Sequence, residues 1–175
     1  MRRLSRIILW IAALVFLLIV GVAALAYKPQ PEQISYGMSF NTPYARELGL
    51  DWQETYDAIL DELGVRKLRL AAHWPMVEPA PGSYNFTELD YQVARAEEVG
   101  ATVVLAVGRR LPRWPECHIP DWAQSLGWEQ QKESQLAYMK AVVERYKDSP
   151  SIIYWQVENE PFLSLFAFEH CGPLD

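Results

Sequence analysis

Thr102-Val-Val-Leu-Ala-Val107 is a nearly unbroken apolar run that follows Gly100. A short run of this kind reads as a strand buried on both faces, the pattern of a parallel strand covered by helices. Working back from it, Thr87 opens a helix that runs through Val99 and is stopped by Gly100. A loop rich in Pro and Gly, His73 to Asn85, precedes that helix, and Val65 to Ala72 reads as a second strand. Earlier still, Asp51 and Glu54 form a variant of the capping box. Trp52, Tyr56, Ile59, Leu60 and Leu63 then fall on one helical face, which Gly64 ends. Ile34 to Phe40 is a short strand candidate.

Working forward, a proline-rich loop spans Leu111 to Pro120. The next helix is expected over Trp128 to Tyr146, with Leu136, Met139, Val142, Val143 and Tyr146 on its apolar stripe. Ser149-Pro150 breaks it, and Ile152 to Val157 is the fourth strand. The order β-α-β-α-β-α-β implies parallel strands joined by right-handed crossovers. Periodicity does not separate a closed barrel from an open doubly wound sheet. No GxGxxG or GxxxxGK[ST] follows a strand, however, and the missing phosphate-cradling loops favour a barrel.

In parallel α/β folds ligands bind at the C-terminal ends of the strands. The second strand delivers Arg69, His73 and Trp74 to that rim, the third Gly108, Arg109 and Arg110, and the fourth Gln156, Glu158, Asn159 and Glu160. A polar cluster on the edge of an apolar sheet is costly unless paired, so it marks a candidate site. By strand parity Glu158 and Glu160 are expected to point the same way if the strand continues that far. For any one of these carboxylates the plain alternative is a solvated loop residue.

The first 27 residues are of another kind. Arg2, Arg3 and Arg6 precede an uncharged run of 21 residues, Ile7 to Tyr27. That length crosses a hydrocarbon core, and the basic flank orients the remainder outward. A transmembrane signal-anchor is expected over 1–27, a linker over 28–33 and one partial catalytic domain over 34–175. A cleaved signal peptide ending at Ala24-Leu25-Ala26 is the alternative, which would leave the protein secreted rather than held at the cell membrane. Three of the 16 basic residues and none of the 22 acidic ones lie in the leader, so the rest carries a net charge near −9. An acidic surface with no basic stripe argues against nucleic acid as a partner. Cys117 and Cys171 fall in loops without CxxC spacing, so neither zinc nor a redox motif is indicated. In an oxidising compartment they can pair as a disulfide, with free thiols as the alternative. No metal or cofactor is called for.

Ile152-Ile-Tyr-Trp-Gln-Val-Glu-Asn-Glu-Pro161 resembles the fourth strand of the glycoside hydrolases of clan A, the cellulase-like and β-galactosidase-like (β/α)8 barrels. Leu68-Arg69-Leu70, Trp74, Glu78-Pro79, Pro81-Gly82 and Tyr84-Asn85-Phe86 resemble the stretch after their second strand, and Pro112, Trp114 and Pro115 extend the likeness. The resemblance implies that Glu160 is the general acid/base of a retaining glycosidase and that Asn159 binds the 2-hydroxyl of the sugar. It further implies that Arg69 orients the nucleophilic carboxylate, and that Trp74, Trp114 and His73 contact an oligo- or polysaccharide substrate. Packing is the alternative role for either Trp, and a structural ion pair for Arg69. Glu158 has no role in the resemblance. A retaining enzyme needs a second carboxyl about 5–5.5 Å from the first. In the clan it ends the seventh strand, and a whole barrel takes about 250 residues. The 148 residues after the leader are therefore expected to be the N-terminal half, β1–β4, of a TIM barrel, inactive alone. The alternative is a membrane-anchored half-barrel that dimerises into a carbohydrate-binding module or pseudoenzyme.

Overall fold

The computed structural model describes residues 2–27, 34–113, 116–162 and 171, which fall into two compact units, 1–35 and 36–175. Among its described residues the first unit holds one helix, α1 (Arg2–Ala26). Its stretch Leu9–Ala26 is long and apolar enough to cross a membrane.

The second unit contains β1 (Met38–Ser39), α2 (Thr42–Glu47), α3 (Trp52–Asp61), β2 (Lys67–Ala71), α4 (Trp74–Val77), α5 (Thr87–Glu98), β3 (Thr102–Val107), α6 (Asp121–Gln124), α7 (Trp128–Tyr146) and β4 (Ile152–Val157). The four strands form a parallel sheet in the order β1-β2-β3-β4. This sequential order decides between barrel and open sheet, because a doubly wound sheet reverses its strand order at a switch point. Right-handed crossovers that always step the same way put every helix on one face, as in a segment of a (β/α) barrel.

That helix-covered face holds the core. Leu68, Leu70, Val103 and Leu105 pack there against Tyr56 and Leu60 of α3, Leu89, Val93 and Ala96 of α5, and Tyr138 and Val142 of α7. Arg69, Ala71, Val104, Ala106, Tyr154 and Gln156 alternate onto the opposite face by register. Tyr154 is exposed and Val104 only half-buried there, so the expected burial of β3 on both faces holds fully on the helix side alone. The helices are also tied to each other at their surfaces. Arg95 of α5 pairs with Asp57 (2.9 Å) and Asp61 (2.7 Å) of α3, and Arg145 of α7 pairs with Asp90 of α5 (2.5 Å).

Local chemistry sets the boundaries. The Asp51 carboxylate caps α3 by accepting from the Gln53 (2.8 Å) and Glu54 (3.0 Å) N–H groups. Gly64 and Gly100, at φ 65° and 66°, turn the chain from helix into strand in a conformation that suits glycine. Three expectations need correction. β1 has two residues rather than the seven of Ile34–Phe40, and Ile34 and Tyr36 are exposed, because pairing with β2 begins only at Met38↔Leu68. Leu63 lies beyond the end of α3 and is exposed. The buried stripe of α7 is Gln131, Tyr138, Val142 and Tyr146, with Leu136 exposed. The reason is Tyr138, which turns its face of the helix toward the sheet.

The Tyr138 hydroxyl donates to the Ala72 carbonyl oxygen and accepts the Gly108 N–H at 3.2 Å, so one side chain joins the ends of β2 and β3. Tyr138→Phe leaves that carbonyl and N–H without this partner in a buried site. Its expected cost is about 1–3 kcal/mol in denaturant unfolding; an unchanged midpoint and slope would exclude the bridge.

Candidate active site

Because the strands are parallel, their C-terminal ends share one rim. Phe40-Asn41, Ala72-His73, Gly108-Arg109-Arg110 and Glu158-Asn159-Glu160 meet along it. At the β4 end, pairing with β3 is prolonged by Glu158 N–H to the Val107 carbonyl (2.9 Å) and Asn159 N–H to the Arg110 carbonyl (2.8 Å). The backbone leaves the strand conformation at once, with φ of 59° at Glu158 and 50° at Glu160. Strand parity therefore fails here. Glu158 is buried at 8% exposure, whereas Glu160 is exposed and Asn159 half-buried. The two glutamates do not share a face, because the chain stops being a strand after Val157.

The Glu158 carboxylate accepts the Arg109 N–H at 3.1 Å, the Arg110 N–H at 2.6 Å and the Gln135 side-chain N–H of α7 at 2.5 Å. Burial pushes its pKa up, while these donors and the nearby Arg109 guanidinium pull it down, and burial dominates. Arg109 itself is fully buried, lying over the Trp128 ring (4.6 Å) and donating to Gln131 at 3.1 Å. The Gln156 amide donates to the Glu158 carbonyl (3.0 Å) and to Oδ1 of Asn159 (3.2 Å). With Oδ1 so occupied, Asn159 turns its Nδ2 donor away from Gln156. The Arg110 guanidinium reaches the Glu160 carbonyl oxygen at 3.4 Å.

Asn41 and His73 meet at the β1–β2 end of the rim. Oδ1 of Asn41 accepts the Tyr44 N–H (2.9 Å) as the N-cap of α2, so its Nδ2 group is the donor to Nε2 of His73 (3.2 Å). His73 thus uses Nε2 as an acceptor, and its ring meets His118 edge-on at 4.6 Å. Burial first, then the neighbouring His118, pushes the His73 pKa down to about 3; burial pushes His118 down to about 4. At 3% exposure His73 is buried, and Asn41 occupies its Nε2.

Trp74 takes the packing role that was the alternative to a cleft contact. Its side chain is fully buried, stacked on Tyr138 (centroids 5.5 Å) and edge-on to Trp122 (5.8 Å), with its indole N–H on Glu78 at 2.8 Å. Glu78 also accepts the Gly82 N–H at 2.8 Å. Trp74 and Glu78 brace the loop after β2. Arg69 donates to the Ser39 hydroxyl at 2.9 Å and walls a cavity of about 440 Å³ with Phe40, Asn41, Tyr44, Pro112 and Arg113. β3 separates it from Glu160. Trp114 lies outside the described residues. Cys117 and Cys171 form a disulfide with Cα atoms 5.6 Å apart, linking the loop after β3 to the segment after β4. Asn41 and Gln135 were not singled out by sequence reasoning, although Asn41 directly follows β1 and the rim rule could have found it; Gln156 was placed on the rim without a role.

A family model described as beta-galactosidase, glycoside hydrolase family 42, matches residues 49–172. The chain belongs to this family. Among curated relatives, the beta-galactosidase LacA of Lactobacillus acidophilus is 28% identical over 105 residues, covering 50% of this chain and 16% of LacA. The beta-galactosidase of an Arthrobacter species is 31% identical over 121 residues, covering 58% of this chain and 17% of its own length. The chain thus spans about a sixth of each of these relatives. Among solved structures, GH5_18 of Bifidobacterium longum subsp. longum superposes with a TM-score of 0.58 over 80% of this chain and 37% of that one. At 17% identity, that likeness is one of fold. The family 42 match and the family 5 fold both lie within clan A, the group that Asn159-Glu160 and the Arg69 to Phe86 segment resemble.

The two depressed histidines give the rim an acid sensitivity of known sign. A His pKa lowered by folding contributes stability that is present above the unfolded value near 6.5 and lost as pH falls toward the folded value. For His73 the loss is about 2 kcal/mol between pH 8 and pH 5. Denaturant midpoints should fall over that range, and the His73 ring should remain neutral at pH 5 by nitrogen NMR; a ring protonated at pH 5 would contradict its burial.

Proposed function

We propose that this chain is the N-terminal part of an exported retaining glycoside hydrolase acting on β-galactosides, with Glu160 as general acid/base. The observation that carries the reading is the position of Asn159-Glu160. The pair directly follows β4 on the rim where strand ends meet, with Glu160 exposed and its neighbour Glu158 fastened to the exit of β3. Family membership and the curated names support the substrate class.

On this reading, Glu160 donates its proton to the glycosidic oxygen as the bond from that oxygen to the anomeric carbon breaks. A nucleophilic carboxylate from chain beyond residue 175 takes the sugar as a glycosyl ester. The Glu160 carboxylate then removes a proton from water, which attacks the anomeric carbon and frees the sugar. Asn159, with Oδ1 occupied by Gln156, offers Nδ2 to the sugar 2-hydroxyl. Arg69, on the same face of β2 as Ala71, would face the nucleophile. The helix Leu9–Ala26, together with the Arg2, Arg3 and Arg6 flank, supports a single-pass anchor with the barrel outside. The Cys117–Cys171 disulfide supports an oxidising compartment.

In the full-length gene product, Glu160→Gln should lower kcat on a natural β-galactoside by 10²–10⁴-fold, the usual span for a general acid. Unaltered turnover of both that substrate and an aryl β-galactoside would reject the assignment. The 175-residue chain alone is expected to release no nitrophenol from nitrophenyl β-galactoside. Turnover by the chain alone, or by a closed dimer of it, would overturn the half-barrel reading.

A further inference from the structure

The geometry points to Glu158 as a positioning residue that aims Asn159 and Glu160 by locking the end of β4 onto the exit of β3. This rests on the acid/base reading above and gives a role to the acidic residue which that reading leaves idle. Glu158 lies two residues before Glu160, and its side chain is buried. Its two oxygens are shared among consecutive backbone N–H groups of Arg109 and Arg110 and the Gln135 amide of α7. Every partner is a donor, so the cage suits a carboxylate and opposes a carboxamide, whose NH₂ would face another N–H.

Room for that carboxylate comes from Gly108. A Cβ at this position would lie 2.4 Å from the Glu158 Cδ and about as close to both oxygens, at 2.6 Å each. The glycine also holds φ 132°, which side-chain-bearing residues rarely adopt. On the other strand, Glu158 holds φ 59° and Glu160 φ 50°, strained values that persist only where the surroundings impose them. The cage, with the Asn159 N–H on the Arg110 carbonyl and Gln156 on the Glu158 carbonyl, supplies that imposition. Releasing the carboxylate frees the chain to return toward extended backbone, which rotates Asn159 and Glu160 away from the rim. A group acting in this way should mimic partial loss of the acid without itself touching substrate.

The test uses the full-length gene product and two substrates, 2,4-dinitrophenyl β-galactoside, whose leaving group needs no proton, and methyl β-galactoside, whose leaving group does. Glu158→Gln should lower kcat/KM for the methyl galactoside at least tenfold more than for the dinitrophenyl galactoside, with the melting temperature within a few degrees of the parent. Gly108→Ala, which crowds the same carboxylate from β3, should give the same selective loss and serves if Glu158→Gln does not fold. Glu160→Ala is run beside them. If Glu160→Ala shows the leaving-group selectivity while both cage variants lower the two substrates equally or not at all, Glu158 is structural filler and the inference fails. If Glu160→Ala lacks the selectivity, the acid/base reading falls and takes this inference with it.

Discussion

A buried carboxylate has to be fully satisfied, and in this fold the Glu158 carboxylate is satisfied by the backbone of the neighbouring strand's exit. That requirement reaches in several directions. It demands a glycine at 108, since any Cβ would collide with the carboxylate. It draws in Gln135, and with it the register of α7 against β4. It also holds Glu158 in the left-handed region, so the two following residues leave the strand in a direction that parity does not predict. The contact joins two parallel strands at the rim where a barrel does its chemistry.

A second column of contacts adjoins that rim. Tyr138 of α7 joins the ends of β2 and β3 through its hydroxyl and stacks on Trp74 through its ring. Trp74 passes the support to Glu78, which holds the loop after β2 through the Gly82 N–H, while Trp122 closes the column edge-on. Aromatic residues dominate because they combine large buried area with one polar atom each, and each polar atom has a partner. The abundance of Trp and Tyr thus has a packing cause in this part of the protein. The open face of the sheet, by contrast, carries Arg69, Tyr154 and Gln156.

The sequence was most legible where a single periodicity governed burial. β3, α7 and β4 have the limits that their patterns predict, and α5 falls one residue short of its expected end. The capping carboxylate of Asp51 and the glycines after α3 and α5 act through local geometry alone, which is why they could be recognised without a fold. Legibility failed where a residue's partners are distant in the chain. Trp74 and His73 looked like rim ligands because they follow β2. Their surroundings are set by Trp122, Tyr138, Asn41 and His118, which lie tens of residues away. Likewise, Glu158 and Glu160 looked equivalent two positions apart, and the N–H groups of Arg109, Arg110 and Gln135 separate them.

By themselves, the residues determined a parallel βα chain, an apolar N-terminal segment and an Asn-Glu pair at the end of the fourth strand, since hydrophobic spacing and the succession of elements act along the chain. Tertiary structure alone decided that the strands lie in sequential order, that one glutamate is caged while its near neighbour is exposed, and that the aromatic side chain after β2 is a brace. The physical reason is that hydrogen-bond satisfaction in a buried site depends on which strand ends meet, and that meeting is a property of the folded sheet.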